Sequence, residues 1–156
     1  MRVKLSEIIE GIEFQSDERS SYLNKLTGEV VMITDEEVHA AEEGESLDDY
    51  PEWQQNAIKQ AEDILADETD DKYISLPSKY DVHEYNIMER FCLTISDNKI
   101  SESLYHAIKG KGAFSKFKDA IHRYEIADDW HKYRDDYIKQ IAEDWCKENG
   151  IEYTED

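Results

Sequence analysis

Five cations, Lys109, Lys111, Lys116, Lys118 and Arg123, fall within residues 106–124 beside a single acid, Asp119, in a chain whose formal net charge is -20. That segment carries +4 while the remainder carries -24. Such a cluster can capture an anion by Coulomb attraction and charge-assisted hydrogen bonds. Gly110 and Gly112 flank Lys111 just ahead of a predicted helix, where uncovered backbone N–H groups and the positive end of the helix dipole favour negative charge. The candidate anion site is therefore Lys109, Gly110, Lys111, Gly112, Ser115, Lys116 and Arg123, and a phosphorylated metabolite or nucleotide is the ligand class it would take. Two features weigh against it. Glycines between helices commonly make a corner, and Lys116, Asp119 and Arg123 are spaced for a solvated ion-pair ladder worth only ~0.2–0.5 kcal/mol per pair. Lys109, Lys111 and Lys118 are left unexplained by the ladder. The stretch GKGAFS is neither a Walker loop nor a dinucleotide fingerprint, so nucleotide hydrolysis is not indicated.

Other constellations are weaker. Glu36-x-x-His39-x-x-x-Glu43 and Asp128-x-x-His131-x-x-x-Asp135 have ligand-like helical spacing, but thirty-eight acids generate such sets by chance. Neither brings the second His or the Cys usual for a transition metal. No metal and no cofactor is expected. There is no Gly-x-Ser-x-Gly elbow, no His-Glu-x-x-His, and no cysteine in a nucleophile motif. Paired carboxylates are too abundant to mark a general acid or base, so the sequence does not decide whether the protein is an enzyme. Arg134 falls in the middle of an aromatic helix face formed by Trp130, Tyr133, Tyr137, Ile138, Ile141 and Trp145. That position calls for a structural ion pair with a carboxylate of another helix.

These residues must be positioned by a chain of 156 residues, long enough for one domain with its own core, and a single domain over 1–156 is expected. Hydrophobic residues make up 39% and charged ones 36%, with three Trp, ten Tyr and four Phe, so apolar anchors suffice for folding. Cys92 and Cys146 are too few and too distant for a metal cluster or a disulfide framework, which suits a reducing cytoplasm. MRVKLSEIIEGIEF lacks the features of a secretory signal, and no run approaches the ~20 apolar residues of a membrane span. The acidic balance argues against direct nucleic-acid binding, which needs an extended basic surface. Acid is concentrated in residues 29–72, with sixteen Asp and Glu against Lys59 and Lys72.

The pattern predicts an α+β fold. Ser6 should cap a helix with Leu5, Ile8, Ile9 and Ile12 on one face. Residues 21–33 read as a β-hairpin with Gly28 at the positive φ of its loop. Thr34-x-x-Glu37 is a capping box opening a helix through Glu43, followed by the loop GESLDDY. Pro51 suits the first turn of a helix to about Ala66, with Trp53, Ala57, Ile58, Ala61, Ile64 and Leu65 as its apolar stripe. Residues 73–77 alternate as a third strand, completing a small antiparallel sheet packed on a mainly helical carboxy-terminal half. Helices follow over 82–95, with Asp81 as cap, and over 99–109, 113–124 and 128–149. In the third of these Ala113, Phe114, Phe117, Ala120, Ile121 and Tyr124 share the apolar face.

LSEIIEGIEFQSDERSSYLNKLTGEVV, SLPSKYDVHEYNIMERF, AIKGKGAFSKFKDAIHR and WHKYRDDYIKQIAEDWCKENGI together resemble the uncharacterised bacterial protein family numbered 0158. The resemblance implies a small bacterial cytosolic protein and assigns no catalytic residue. From the residues themselves, the leading expectation is a non-enzymatic interaction or regulatory module whose acidic face, chiefly 35–71, attracts a basic protein partner. Acid serving solubility alone is the competing use. The alternative function is an anion-binding protein or small enzyme holding a phosphorylated ligand at the Lys109–Gly112 turn. Pairing of the basic segment with the acidic one of a second copy, giving a homo-oligomer, is a third possibility.

Overall fold

The computed structural model describes residues 2–69 and 71–155. The elements run β1 (Val3–Lys4), α1 (Leu5–Phe14), β2 (Arg19–Asn24), β3 (Val30–Thr34), α2 (Asp35–Glu43), a 3-10 turn (Leu47–Asp49), α3 (Glu52–Ala66), β4 (Tyr73–Ser75), α4 (Lys79–Val82), α5 (Glu84–Thr94), α6 (Asn98–Ala107), α7 (Ala113–Arg123), α8 (Ala127–Glu148) and β5 (Tyr153–Thr154). This is the α+β class expected. The chain divides into two compact units, Met1–Asp81 with Ile141–Asp156, and Val82–Gln140.

In the first unit β2 is the centre of an antiparallel sheet ordered β3-β2-β4. Tyr22 stands opposite Val31 on one side and Ser75 on the other. The hairpin closes because the Asn24 side-chain oxygen accepts from Leu26 N and Thr27 N, and Gly28 takes φ 80°, where a Cβ would be strained. Alternation sends Tyr22, Val31, Ile33 and Tyr73 to one face, where they pack with Ala41 of α2 and with Ala61 and Ile64 of α3. The other face meets α1 so closely that a Cβ on Gly11 would lie 2.6 Å from Leu76 and 3.0 Å from Val30. Buried Ser21 donates to Gly11 O at 2.7 Å, and Gln15 bridges Ser21 N to Leu76 O, so the polar groups at this contact are satisfied.

The predicted capping box at α2 is present in both directions. Glu37 N donates to Thr34 Oγ1, and Thr34 N donates to Glu37 Oε1. Three local expectations are corrected. Ser6 lies inside α1, whose N-cap is Lys4 without a side-chain bond, because β1 delivers the chain directly into the helix. Asp81 does not cap α5. It closes a box with Ser78 around the one-turn α4, and α5 starts after His83 at φ 52°. Trp53 is not core: it is 70% exposed, and at this end of α3 Gln54 is buried in its place, while Ile58 and Ala61 of the expected stripe are buried.

One pairing was not expected. Val3 and Lys4 lie parallel to Tyr153 and Thr154, a two-residue ladder too short to carry alternation. In the second unit, α5, α6, α7 and residues 127–140 of α8 enclose an aromatic core. Phe117 and Trp130 meet edge-to-face at 4.8 Å between centroids, and Phe91 meets Trp130 at 5.4 Å. Asp97 caps α6 through Lys99 N and Ile100 N. No helix among the described residues is long and apolar enough to cross a membrane.

Candidate functional site

The turn singled out by its charge connects α6 to α7. Gly110 and Gly112 have φ of 80° and 73°, a conformation that disfavours any side chain, and a Cβ at Gly110 would face open space. Lys109 folds back onto α6: its ammonium donates to the Tyr105 hydroxyl at 3.0 Å and lies 4.2 Å from the ring centroid. The hydrogen bond to Tyr105 raises the Lys109 pKa. Lys111 is exposed. No ion pair joins Asp119 to Lys116 or Arg123 among the described residues, so the predicted ladder is not formed. Exposed pairs of this kind gain little over hydration. Arg123 lies instead 6.0 Å over the Tyr124 ring.

Of the candidate anion residues, Ser115 alone lines a cleft of the second unit, about 520 Å³ between α5, α7 and α8. Buried Met88, Phe117, Ile121 and Trp130 form its apolar wall. Lys118, His122, His131 and the Arg134–Glu84 pair supply its polar groups. Arg134 grips Glu84 through Nε, at 3.1 and 3.2 Å from the two oxygens, and through Nη2 at 2.5 Å. This pair ties α8 to α5. Phe114, expected on the apolar face of α7, is instead 59% exposed at the cleft. As the second residue of α7 it precedes the turn where that face becomes covered. Lys109, Lys111, Lys116 and Arg123 do not line the cleft.

The first unit carries a different surface. Glu42, Glu43, Glu45, Asp48, Asp49 and Glu52 are all exposed along the end of α2, the 3-10 turn and the start of α3. The Tyr50 hydroxyl donates to Glu45, and that bond pushes its pKa up to about 12. Gln55 Nε2 donates to Tyr50 O at 2.8 Å, anchoring the turn to α3. Trp53 follows directly, its indole in water. Further along α3, Asp63 accepts from Lys72 and from the Tyr73 hydroxyl, each at 2.5 Å. Those two bonds hold its carboxyl below the usual range, and burial, then the bond to Asp63, pushes Tyr73 up to about 12.

Both cysteines are free and buried. Burial raises both Cys92 and Cys146 to about 11, so they hold their protons at neutral pH. No three His, Cys, Asp or Glu side chains among the described residues are grouped to hold a metal, and the two ligand-spaced helical sets remain surface. The exposure of Trp53 and the placing of Phe114, Lys118, His122 and Glu84 at the cleft are not foreseen from the sequence. The one available signal was Lys118, a cation that the ladder did not explain.

The profile of the Uncharacterised protein family (UPF0158) matches residues 1–156. A curated relative, the UPF0158 protein PA5073 of Pseudomonas aeruginosa, is 21% identical over 91 residues, covering 58% of this chain and 60% of the relative's length. No solved structure matches the chain.

Proposed function

We propose that this chain, which belongs to the uncharacterised protein family UPF0158, is a non-enzymatic interaction module that docks a basic segment of a partner protein on the acidic surface of its first unit. The observation that carries this reading is Trp53, 70% exposed and directly preceded by the exposed carboxylates of Glu45, Asp48, Asp49 and Glu52. Solubility accounts for the carboxylates but not for the indole. An arginine side chain meets both needs of such a surface. Its charge is steered by the carboxylates, and its planar guanidinium stacks on the ring. Tryptophan and arginine are also the residues that dominate interface energetics.

The reading that places a phosphorylated ligand at Lys109–Gly112 has less support. Positive φ accounts for both glycines, and Tyr105 takes the Lys109 ammonium. A homo-oligomer through the basic segment is a special case of the leading reading, with a second copy as partner.

Titration with an arginine-rich decapeptide, followed by calorimetry at low and at physiological salt, tests the proposal. Trp53→Ala is expected to weaken binding about fivefold, ~1 kcal/mol, while leaving its salt dependence unchanged. Equal binding by Trp53→Ala would reduce the surface to unspecific charge. Sedimentation of the protein alone at low salt separates the oligomer: a salt-sensitive dimer would identify the partner as a second copy.

A further inference from the structure

We propose that the cleft of the second unit binds a small aromatic carboxylate, with Lys118 as the cation that meets the acid group and Phe114 as the ring that covers the aromatic one. The site lies apart in sequence from the acidic surface and does not depend on it.

The cavity is the first reason. At about 520 Å³ it falls within the ~300–1,000 Å³ of small-molecule sites and has their make-up, an apolar wall with a few convergent polar groups. Phe117 and Trp130, packed edge-to-face, make the base of that wall aromatic. Phe114 stands at the cleft with most of its ring in water, although Phe117 and Ile121 further along the same helix are buried. A planar ligand over the wall would remove that ring from solvent.

Charge selects the other half of the ligand. Arg134 is already matched by the bidentate Glu84, whereas Lys118 makes no ion pair among the described residues. Lys118 and Arg134 against Glu84 leave one positive charge in the lining, which matches a monoanion such as a carboxylate, whereas a phosphate dianion would bring a second, unmatched charge against the apolar wall. This distinguishes it within a chain of net charge -20. A cleft of the first unit at Leu76, Pro77 and Trp145 carries Asp81, Asp144 and Glu148 and no cation, and another of the second unit, beside Tyr133, carries Asp129 and Asp136 against Lys132. Both repel an anion. The cleft lined by Lys118 combines an apolar wall with net positive charge.

The probes are 2-naphthoate, its neutral counterpart 2-naphthalenemethanol, and 2-naphthyl phosphate, each titrated into ¹⁵N-labelled full-length protein. Naphthoate is expected to move the amides of residues 114–122 and 130–134 and to bind about fivefold more tightly than the alcohol, ~1 kcal/mol. Lys118→Ala should abolish that preference while leaving alcohol binding unchanged. Phe114→Ala should weaken acid and alcohol alike. Both side chains are exposed, so the variants' spectra will report whether the fold is retained. Shifts outside the cleft, equal affinity for acid and alcohol, or an unaltered preference in Lys118→Ala would overturn the site. Tighter binding of the phosphate than of the carboxylate would overturn the assignment of a monoanion.

Discussion

The two units solve the same problem, covering apolar surface in a highly charged chain, by different means. In the first, a three-stranded sheet is covered on both faces by helices and fastened by polar ties, Ser21 to Gly11 and Gln15 to Ser21 and Leu76 on the α1 side, and Asp63 to Lys72 and Tyr73 on the α3 side. In the second, helices close over edge-to-face rings of Phe91, Phe117 and Trp130, with the Arg134–Glu84 pair bracing α8 on α5. The difference bears on function. Polar ties hold a sheet while its covering helices send carboxylates outward, so acidity collects on α2 and α3. Rings pack with less regular outlines, and the space left beside Phe117 and Trp130 is the cleft.

The sharpest way to break this comparison is to remove a ring. Phe91→Ala should cost about 3–5 kcal/mol, the usual range for deleting a buried phenylalanine, measured by denaturant unfolding. Hydrogen exchange should show the loss first in residues 82–140. A loss spread evenly over 2–155 would mean that the two units share one cooperative core and that the contrast has no energetic content.

The corresponding cut in the first unit is Ser21→Ala. It removes the donor to a buried carbonyl and should cost about 1–3 kcal/mol. A loss below about 0.5 kcal/mol would fall under the usual range for even a net hydrogen bond and demote the polar ties to by-products of packing. Next in size is Thr34→Ala, which opens the capping box of α2 and should cost about 1 kcal/mol by thermal or denaturant unfolding.

The smallest expected effect is Asp63→Asn. Both members of the Asp63–Lys72 pair are more than a third exposed, so solvent screening limits the loss to under about 1 kcal/mol. Its sign with pH is fixed. The folded carboxyl lies below its unfolded value, so the stabilisation is present above the ordinary carboxylate range and fades as pH falls through the folded pKa. Wild type and variant should therefore converge in acid; a gap that widened there would contradict the assignment.

Much of this architecture is legible in the residues. Gly28 between alternating runs gives the hairpin, Thr34 and Glu37 give the start of α2, and 73–77 gives the third strand, because each signal is local and repeats a period. What escapes is long-range or too short. β1 and β5 are two residues each and lie at opposite ends of the chain. Ser78 and Asp81 compete with the expected cap of α5. Trp53 fits an apolar stripe by spacing, but the first turn of α3 buries Gln54 in its place. The cleft is harder still, since Glu84, Lys118 and Arg134 come from three helices and no linear motif joins them. The charge pattern drew attention to α7 but to its turn rather than to its cleft-facing side, which Ser115 and Lys118 share.

The central claim is that the units carry separate sites of opposite preference, a basic segment at the first and an aromatic acid at the second. A single ¹⁵N-labelled sample titrated first with the arginine-rich decapeptide and then with 2-naphthoate tests it most directly. The account predicts that the peptide moves amides of residues 42–53, with the Trp53 indole among them, and that naphthoate then moves residues 114–122 and 130–134 with the peptide still bound. Displacement of one by the other, or both sets of shifts on one unit, would contradict it.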